Sequence, residues 1–133
     1  MATLSTDEIQ SLIDSYKDAS NKLIKFQDDN EDKLTNPQYK DLSDKIDKIL
    51  QSVRKLSALK TIQTVEDLSQ SIKGLNDSIS NMETALKNIK NVQTGIDIAN
   101  SLVSLGVAIV SENGGQIVSS ISQIATSING LLN

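Results

Sequence analysis

Apolar residues recur every three or four positions along almost all of this 133-residue chain, and this spacing constrains the fold more than any other feature. It is the spacing of one face of an α-helix. The period-two alternation of half-buried strands is missing, and aromatic residues make up only 2% of the chain. We therefore predict an all-α protein without strands. The expected architecture is one elongated bundle of four to five helices, residues 1–133, that ends in an apolar helical hairpin.

Cap and turn signals place the first two helices. Ser5 followed by Glu8 predicts a capping box and a helix over about 6–29. The acidic run 28–32 marks the end of that helix, and Pro37 suits the first turn of the second one. The apolar stripe of the second helix comprises Tyr39, Leu42, Ile46, Ile49, Val53 and Leu56.

A heptad-like stripe predicts a long third helix over about 65–93, with Thr64 as its N-cap. Two alternatives remain for Gly95: it ends this helix, or the helix continues through it. The stripe comprises Leu68, Ile72, Leu75, Ile79, Met82, Leu86 and Ile89.

The last 40 residues, 94–133, are predicted to form a hairpin of two helices. Helix four is expected over about 96–111 and helix five over about 116–131. Asn113, Gly114 and Gly115 are a strong stop signal and are predicted to form the turn between them.

Charge is distributed very unevenly between this hairpin and the helical body, residues 1–93. The chain has 17 acidic and 13 basic residues, and no basic residue follows Lys90. From residue 91 onward the only charged residues are Asp97 and Glu112. The body therefore carries 28 of the 30 charged residues, with a net charge of −2, and the hairpin carries the remaining two, Asp97 and Glu112, for a total of −4.

Two interpretations of the hairpin remain open. It is either the core of a soluble bundle or a surface for a membrane or a partner, because its apolar arc is wider than a one-sided surface helix needs. Helix four is marginal for insertion, since its Val, Leu and Ile residues are offset by Asp97 and by polar side chains. On the second interpretation, the contacting residues are Ile98, Leu102, Val103, Leu105, Val107, Ile109, Val110, Ile117, Val118, Ile121, Ile124 and Ile128.

Composition excludes several kinds of site. The chain has no Cys and no His, so disulfides, thiol chemistry, ordinary zinc or copper sites and His-based triads are ruled out. The run 28–32 does not fit a calcium loop, because Lys33 stands where Gly is needed and Tyr39 where Glu is needed. Lysines of the second helix alternate with aspartates, which does not favour nucleic-acid binding. We expect no cofactor, no metal, no nucleic-acid partner and no enzymatic activity.

The order of the elements resembles α-helical pore-forming toxins of the cytolysin A and haemolysin BL type. The resemblance lies in the layout over about 65–132: a heptad helix is followed by an apolar stretch, 96–110, and a Gly-punctuated turn. Such proteins hide a hydrophobic hairpin in the soluble form and insert it on assembly. Members of that family are usually much longer than this chain.

These patterns predict a non-enzymatic helical protein of bacterial or phage origin that acts through its hairpin, either by conditional membrane insertion or by self-assembly. The alternative is a soluble module that binds a partner protein, such as an inhibitor or immunity protein, a secretion adaptor or an assembly subunit. The N-terminal residues do not resemble a Sec signal peptide. We therefore expect a protein that is soluble as made and either cytoplasmic or exported by a signal-independent route.

Overall fold

Six helices and one two-stranded sheet form the computed structural model, which describes residues 2–59, 61–64 and 67–132. The expected all-α class is confirmed. The elements in chain order are β1 Ala2–Leu4, α1 Thr6–Asp29, α2 Asn36–Ser57, β2 Ile62–Thr64, α3 Ser69–Ser80, α4 Met82–Lys87, α5 Val92–Val110 and α6 Gly114–Gly130.

The first two helices begin as their cap signals predict. The backbone N–H of Glu8 donates to Ser5 Oγ at 3.2 Å, and the Glu8 carboxylate accepts from the Ser5 N–H, so the capping box is complete. A second capping box, Thr35 with Gln38, opens α2, and Pro37 lies in its first turn. Local chemistry is sufficient to set these two starting points.

The expectation of a chain without strands was wrong. β1 and β2 pair antiparallel, with Leu4 opposite Ile62. Both of these side chains are buried against the helices. Three-residue strands carry too little alternation to be seen in a sequence, because their pairing depends on a partner about 60 residues away.

The single long helix predicted over 65–93 was also wrong. Residues 65 and 66 lie outside the described residues, and α3 begins only at Ser69, where Asp67 Oδ1 accepts from the Ser69 N–H at 2.9 Å. The helix then breaks at Asn81, and α4 ends at Lys87. A side chain from α1 holds the first break, since Lys22 Nζ donates to the Ile79 carbonyl at 2.7 Å. The heptad pattern predicted the buried face correctly but not the breaks.

The helices pack into one bundle, in which α5 lies against α2 on one side and α6 on the other. In turn, α6 packs on α3, and α1 packs on both α2 and α3. The buried side chains form one continuous apolar core that includes residues from all six helices. α5, which carries a single charged residue, Asp97, thus packs against two neighbouring helices.

Candidate functional site

Most of the hairpin residues predicted to contact a membrane or a partner are core residues in this fold. Eight of the twelve are at most 5% exposed. They are Ile98, Leu102, Leu105, Ile109, Ile117, Ile121, Ile124 and Ile128. In this conformation they face other helices, and they become available to lipid only if the bundle opens.

The remaining four predicted residues are valines at the surface. Val103, Val110 and Val118 are partly buried, whereas Val107 is 61% exposed. Val103, Val107 and Val110 follow one another at helical spacing, so they form one stripe along α5. This stripe is the part of the predicted site that the folded chain leaves accessible.

A shallow groove of about 370 Å³ runs beside the stripe toward the turn between α5 and α6. Its lining contains no charged residue. The lining residues are Val103, Ser104, Val107, Ala108, Ser111, Asn113 and Gln116. The groove thus combines methyl groups with hydroxyl and amide groups, which suits contact with another helix surface better than contact with an ion.

The turn lies slightly earlier than predicted. α5 ends at Val110, Glu112 takes a left-handed conformation with φ 58°, and Asn113 is the N-cap of α6. Gly114 and Gly115 form the first turn of α6 rather than the connection, because Asn113 Oδ1 accepts from the Gln116 N–H and starts the helix there.

The outer face of α6 is polar and carries no charge. Its exposed side chains are Gln116, Ser119, Ser122, Gln123, Thr126, Ser127 and Asn129. Across both hairpin helices the only charged residue is Asp97, and Glu112 lies in the turn. We call the Val103–Val107–Val110 stripe, its groove and this outer face of α6 the hairpin face.

Two glycines on a neighbouring face of α5 let the hairpin pack closely against the body. A Cβ added to Gly95 would lie 2.5 Å from the Phe26 ring, and one added to Gly106 would meet the side chain of Ser52 on α2. The two glycines are eleven residues apart, which is about three helical turns, so they share a face. The two alternatives for Gly95 concerned only whether a helix ends there or continues through it, and α5 does continue through it. The spacing of the two glycines was the available signal for close packing.

Tyr16 of α1 adds a polar contact to this packing. Its phenolic oxygen donates to the Leu102 carbonyl at 2.7 Å, and the side chain is fully buried. Burial raises the pKa of the Tyr16 phenol well above its ordinary value, because the phenolate would be desolvated there. No local pattern marks Tyr16 for this role, because a tyrosine in an apolar stripe resembles any other core residue of the stripe.

One of the described helices is long and apolar enough to cross a membrane. It is α5, with 19 residues and a mean hydropathy of 1.3 over its best window, half of which is buried in the bundle. Core helices of soluble proteins meet the same criterion. For metals, the described residues contain no group of three or more acidic, His or Cys side chains that could hold an ion.

Comparison with known proteins identifies one family. The sequence model of the family described as "Domain of unknown function (DUF8042)" matches residues 5–104, from the cap of α1 into α5. No curated protein and no solved structure matches the chain. The match covers the charged body and most of α5, whereas Val107, Val110 and α6 lie beyond it.

Proposed function

The chain belongs to the DUF8042 family, and we propose that it is a non-enzymatic protein that self-assembles through the hairpin face. The observation that carries this proposal is the exposure of Val107, the most exposed large apolar side chain among the described residues, within a stripe beside an uncharged groove. Cores of protein interfaces are depleted in charged residues, as this face is. The eight buried hairpin residues support the face from beneath, and the surface valines make the contact.

Charge favours a second copy of the chain as the occupant. Each copy has a net charge of −4, and 28 of its 30 charged residues lie in 1–90. Two copies that meet through their bodies must desolvate many charged side chains of both signs, whereas two copies that meet through the hairpin face do not, because that face carries no charged residue. A two-fold pair in which the valine stripes meet is the simplest closed arrangement.

The test is the oligomeric state of the purified chain and of two matched variants. At about 100 μM protein, well above the micromolar dissociation constants of modest interfaces, we expect the wild type to be a dimer by sedimentation equilibrium. Val107→Asp places two carboxylates in the contact and is expected to give a monomer. Ile24→Asp is the control, because Ile24 is an exposed apolar residue of α1 outside the hairpin face.

Both variants are expected to remain folded, and circular dichroism checks this. A monomeric wild type contradicts self-assembly and favours the other binding mode, in which the hairpin face docks a different protein. Equal dissociation of the two variants also contradicts the proposal, because it locates the contact elsewhere.

Conditional membrane insertion is the second candidate, and the length and hydropathy of α5 favour it. The resemblance to pore-forming toxins in the order of elements agrees with it. Insertion requires α5 to leave α2 and to expose side chains that are buried in the bundle. It therefore needs a trigger that opens the fold, such as acid or contact with an anionic lipid surface.

A reversible lock between α5 and α2 tests this second candidate. The chain has no cysteine, and a Cβ at Gly106 would lie 3.0 Å from Ser52 Cβ, so a small outward shift of α5 gives the roughly 3.8 Å of a disulfide. In the variant Ser52→Cys/Gly106→Cys, we expect dye leakage from phosphatidylglycerol-containing vesicles only after reduction. If neither the wild type at pH 4–7 nor the reduced variant causes leakage, insertion is excluded; leakage from the oxidised form excludes release of α5 as its cause.

A further inference from the structure

A second cleft lies on the opposite, charged part of the molecule, between the end of α1 and α4. Its volume is about 220 Å³. Phe26 and Leu86 form an apolar floor, and Ile89 contributes a partly exposed edge. The heptad stripe predicted Leu86 and Ile89 to be covered. Leu86 is 5% exposed and Ile89 is partly buried, and both line the cleft.

Lysines surround this apolar floor. Four of the thirteen basic residues of the chain line the cleft, together with only two carboxylates. The lysines are Lys22, Lys25, Lys33 and Lys87, and the carboxylates are Asp29 and Glu83. The rim is therefore cationic in a molecule that is acidic as a whole.

Pairing within the rim leaves positive charge available. Lys25 and Lys87 share one oxygen, Glu83 Oε1, at 2.7 and 3.6 Å. This contact raises the pKa of Lys25 and lowers that of Glu83, through the hydrogen bond first and the charge attraction second. Within the described part of the chain Lys33 has no ion pair, whereas Lys22 is occupied by Asp18 and the carbonyl of Ile79. The Glu83 carboxylate thus pairs with two ammonium groups, and the ammonium group of Lys33, which lines the same cleft, has no ion pair among the described residues.

We propose that this cleft binds a small amphipathic carboxylate, a monoanion with an apolar body of about six to ten carbons. The apolar body covers Phe26 and Leu86, and the carboxylate lies between Lys33 and Lys87. A single negative charge fits better than a phosphate dianion, because Asp29 lines the same rim and the acidic run that follows it repels further charge. The volume is too small for a long-chain lipid, whose tail would extend into water.

The experiment is a titration of the ¹⁵N-labelled full chain with sodium octanoate. We expect saturable chemical-shift changes at the end of α1 and along α4, with a dissociation constant of about 0.1–1 mM for a ligand of this size. 1-Octanol has the same apolar body without the charge and is expected to bind at least about tenfold more weakly. Butyrate has the charge but lacks most of the apolar body, and it is also expected to bind at least about tenfold more weakly than octanoate.

Matched double variants test the role of the rim. Lys33→Gln/Lys87→Gln is expected to weaken octanoate binding about tenfold. Lys48→Gln/Lys55→Gln removes the same charge from exposed positions of α2 outside the cleft and is expected to leave binding unchanged. Both pairs are exposed, so folding is expected to be unaffected.

Three outcomes overturn the proposal. Absence of saturation up to about 10 mM octanoate shows that there is no site of the stated affinity. Equal weakening in the two double variants reveals a general charge effect. Shift changes confined to α5 and α6 place the apolar binding on the hairpin face instead.

Discussion

The phenolic oxygen of Tyr16 on α1 donates a hydrogen bond to the main-chain carbonyl of Leu102, in the middle of α5, across 2.7 Å. Both residues are fully buried. The contact ties α5, which carries one charged residue, to the highly charged α1 through one specific atom pair. It fixes the position of α5 along its axis relative to α1, because a hydrogen bond requires one specific atom pair whereas apolar contacts do not.

We predict that Tyr16→Phe lowers the free energy of unfolding by about 1 kcal/mol, because it removes this buried hydrogen bond and keeps the ring. Urea denaturation measures the change. Tyr39→Phe is the control: Tyr39 is 38% exposed, and a change below about 0.5 kcal/mol is expected. Equal losses in the two variants contradict a special role for the contact with Leu102.

The Tyr16 contact also predicts a pH dependence. Burial raises the folded-state pKa of Tyr16, whereas in the unfolded chain it titrates near 10. Its contribution to stability is therefore complete below about pH 10 and is lost above that pH, at up to about 1.4 kcal/mol per pH unit. The stability advantage of the wild type over Tyr16→Phe is expected to shrink above pH 10 and to be constant from pH 6 to 9. A constant difference up to pH 11.5 contradicts this prediction.

Two glycine substitutions are expected to act in opposite directions. Gly106→Ala forces a methyl group against Ser52 Cβ at 3.0 Å, and we expect a loss of about 1–3 kcal/mol. Gly74→Ala on α3 meets nothing within 4 Å and is expected to add about 0.5–1 kcal/mol through its better helix propensity. Thermal unfolding measures both. A stabilising Gly106→Ala shows that α5 does not approach α2 as closely as described.

Lys22 is predicted to stabilise the break between α3 and α4. Lys22→Met removes the donor to the Ile79 carbonyl and the ion pair with Asp18, and we expect a loss of about 1–2 kcal/mol. Lys45→Met is the control, because Lys45 is similarly covered and pairs with Asp41, but no cap at a helix end is described for it. A loss of at most about 0.5 kcal/mol is expected there. If both variants lose the same free energy of unfolding, the contact of Lys22 with the end of α3 does not contribute to stability.

The hairpin itself is expected to respond differently at its core and surface positions. Ile121→Asp buries a carboxylate at a site that is 5% exposed and is predicted to unfold the bundle. Val107→Asp is predicted to keep the native circular dichroism spectrum, and its free energy of unfolding is predicted to lie within about 1 kcal/mol of the wild-type value. An unfolded Val107→Asp variant would assign this side chain to the core rather than to the hairpin face.

The helical class, the positions of α1 and α2, and the apolar face of nearly every helix can be predicted from the amino-acid sequence. These features depend on local chemistry. A capping box such as Ser5 with Glu8 involves residues three apart, and a stripe such as Leu68 to Ile89 reports a helical period within a few turns. The nearly uncharged hairpin was likewise visible, because it is a property of composition along the chain.

Which apolar residues are covered, and where the helices break, depends on how the helices pack in the bundle. Ile98 and Val107 belong to the same apolar stretch, yet one is buried and the other is exposed, because α2 and α6 cover only part of α5. At the break before α4, the Ile79 carbonyl accepts a hydrogen bond from Lys22, which lies 57 residues earlier in the chain. Contacts between distant segments carry no periodic signal, since their energy depends on the packed arrangement and not on neighbours in the chain.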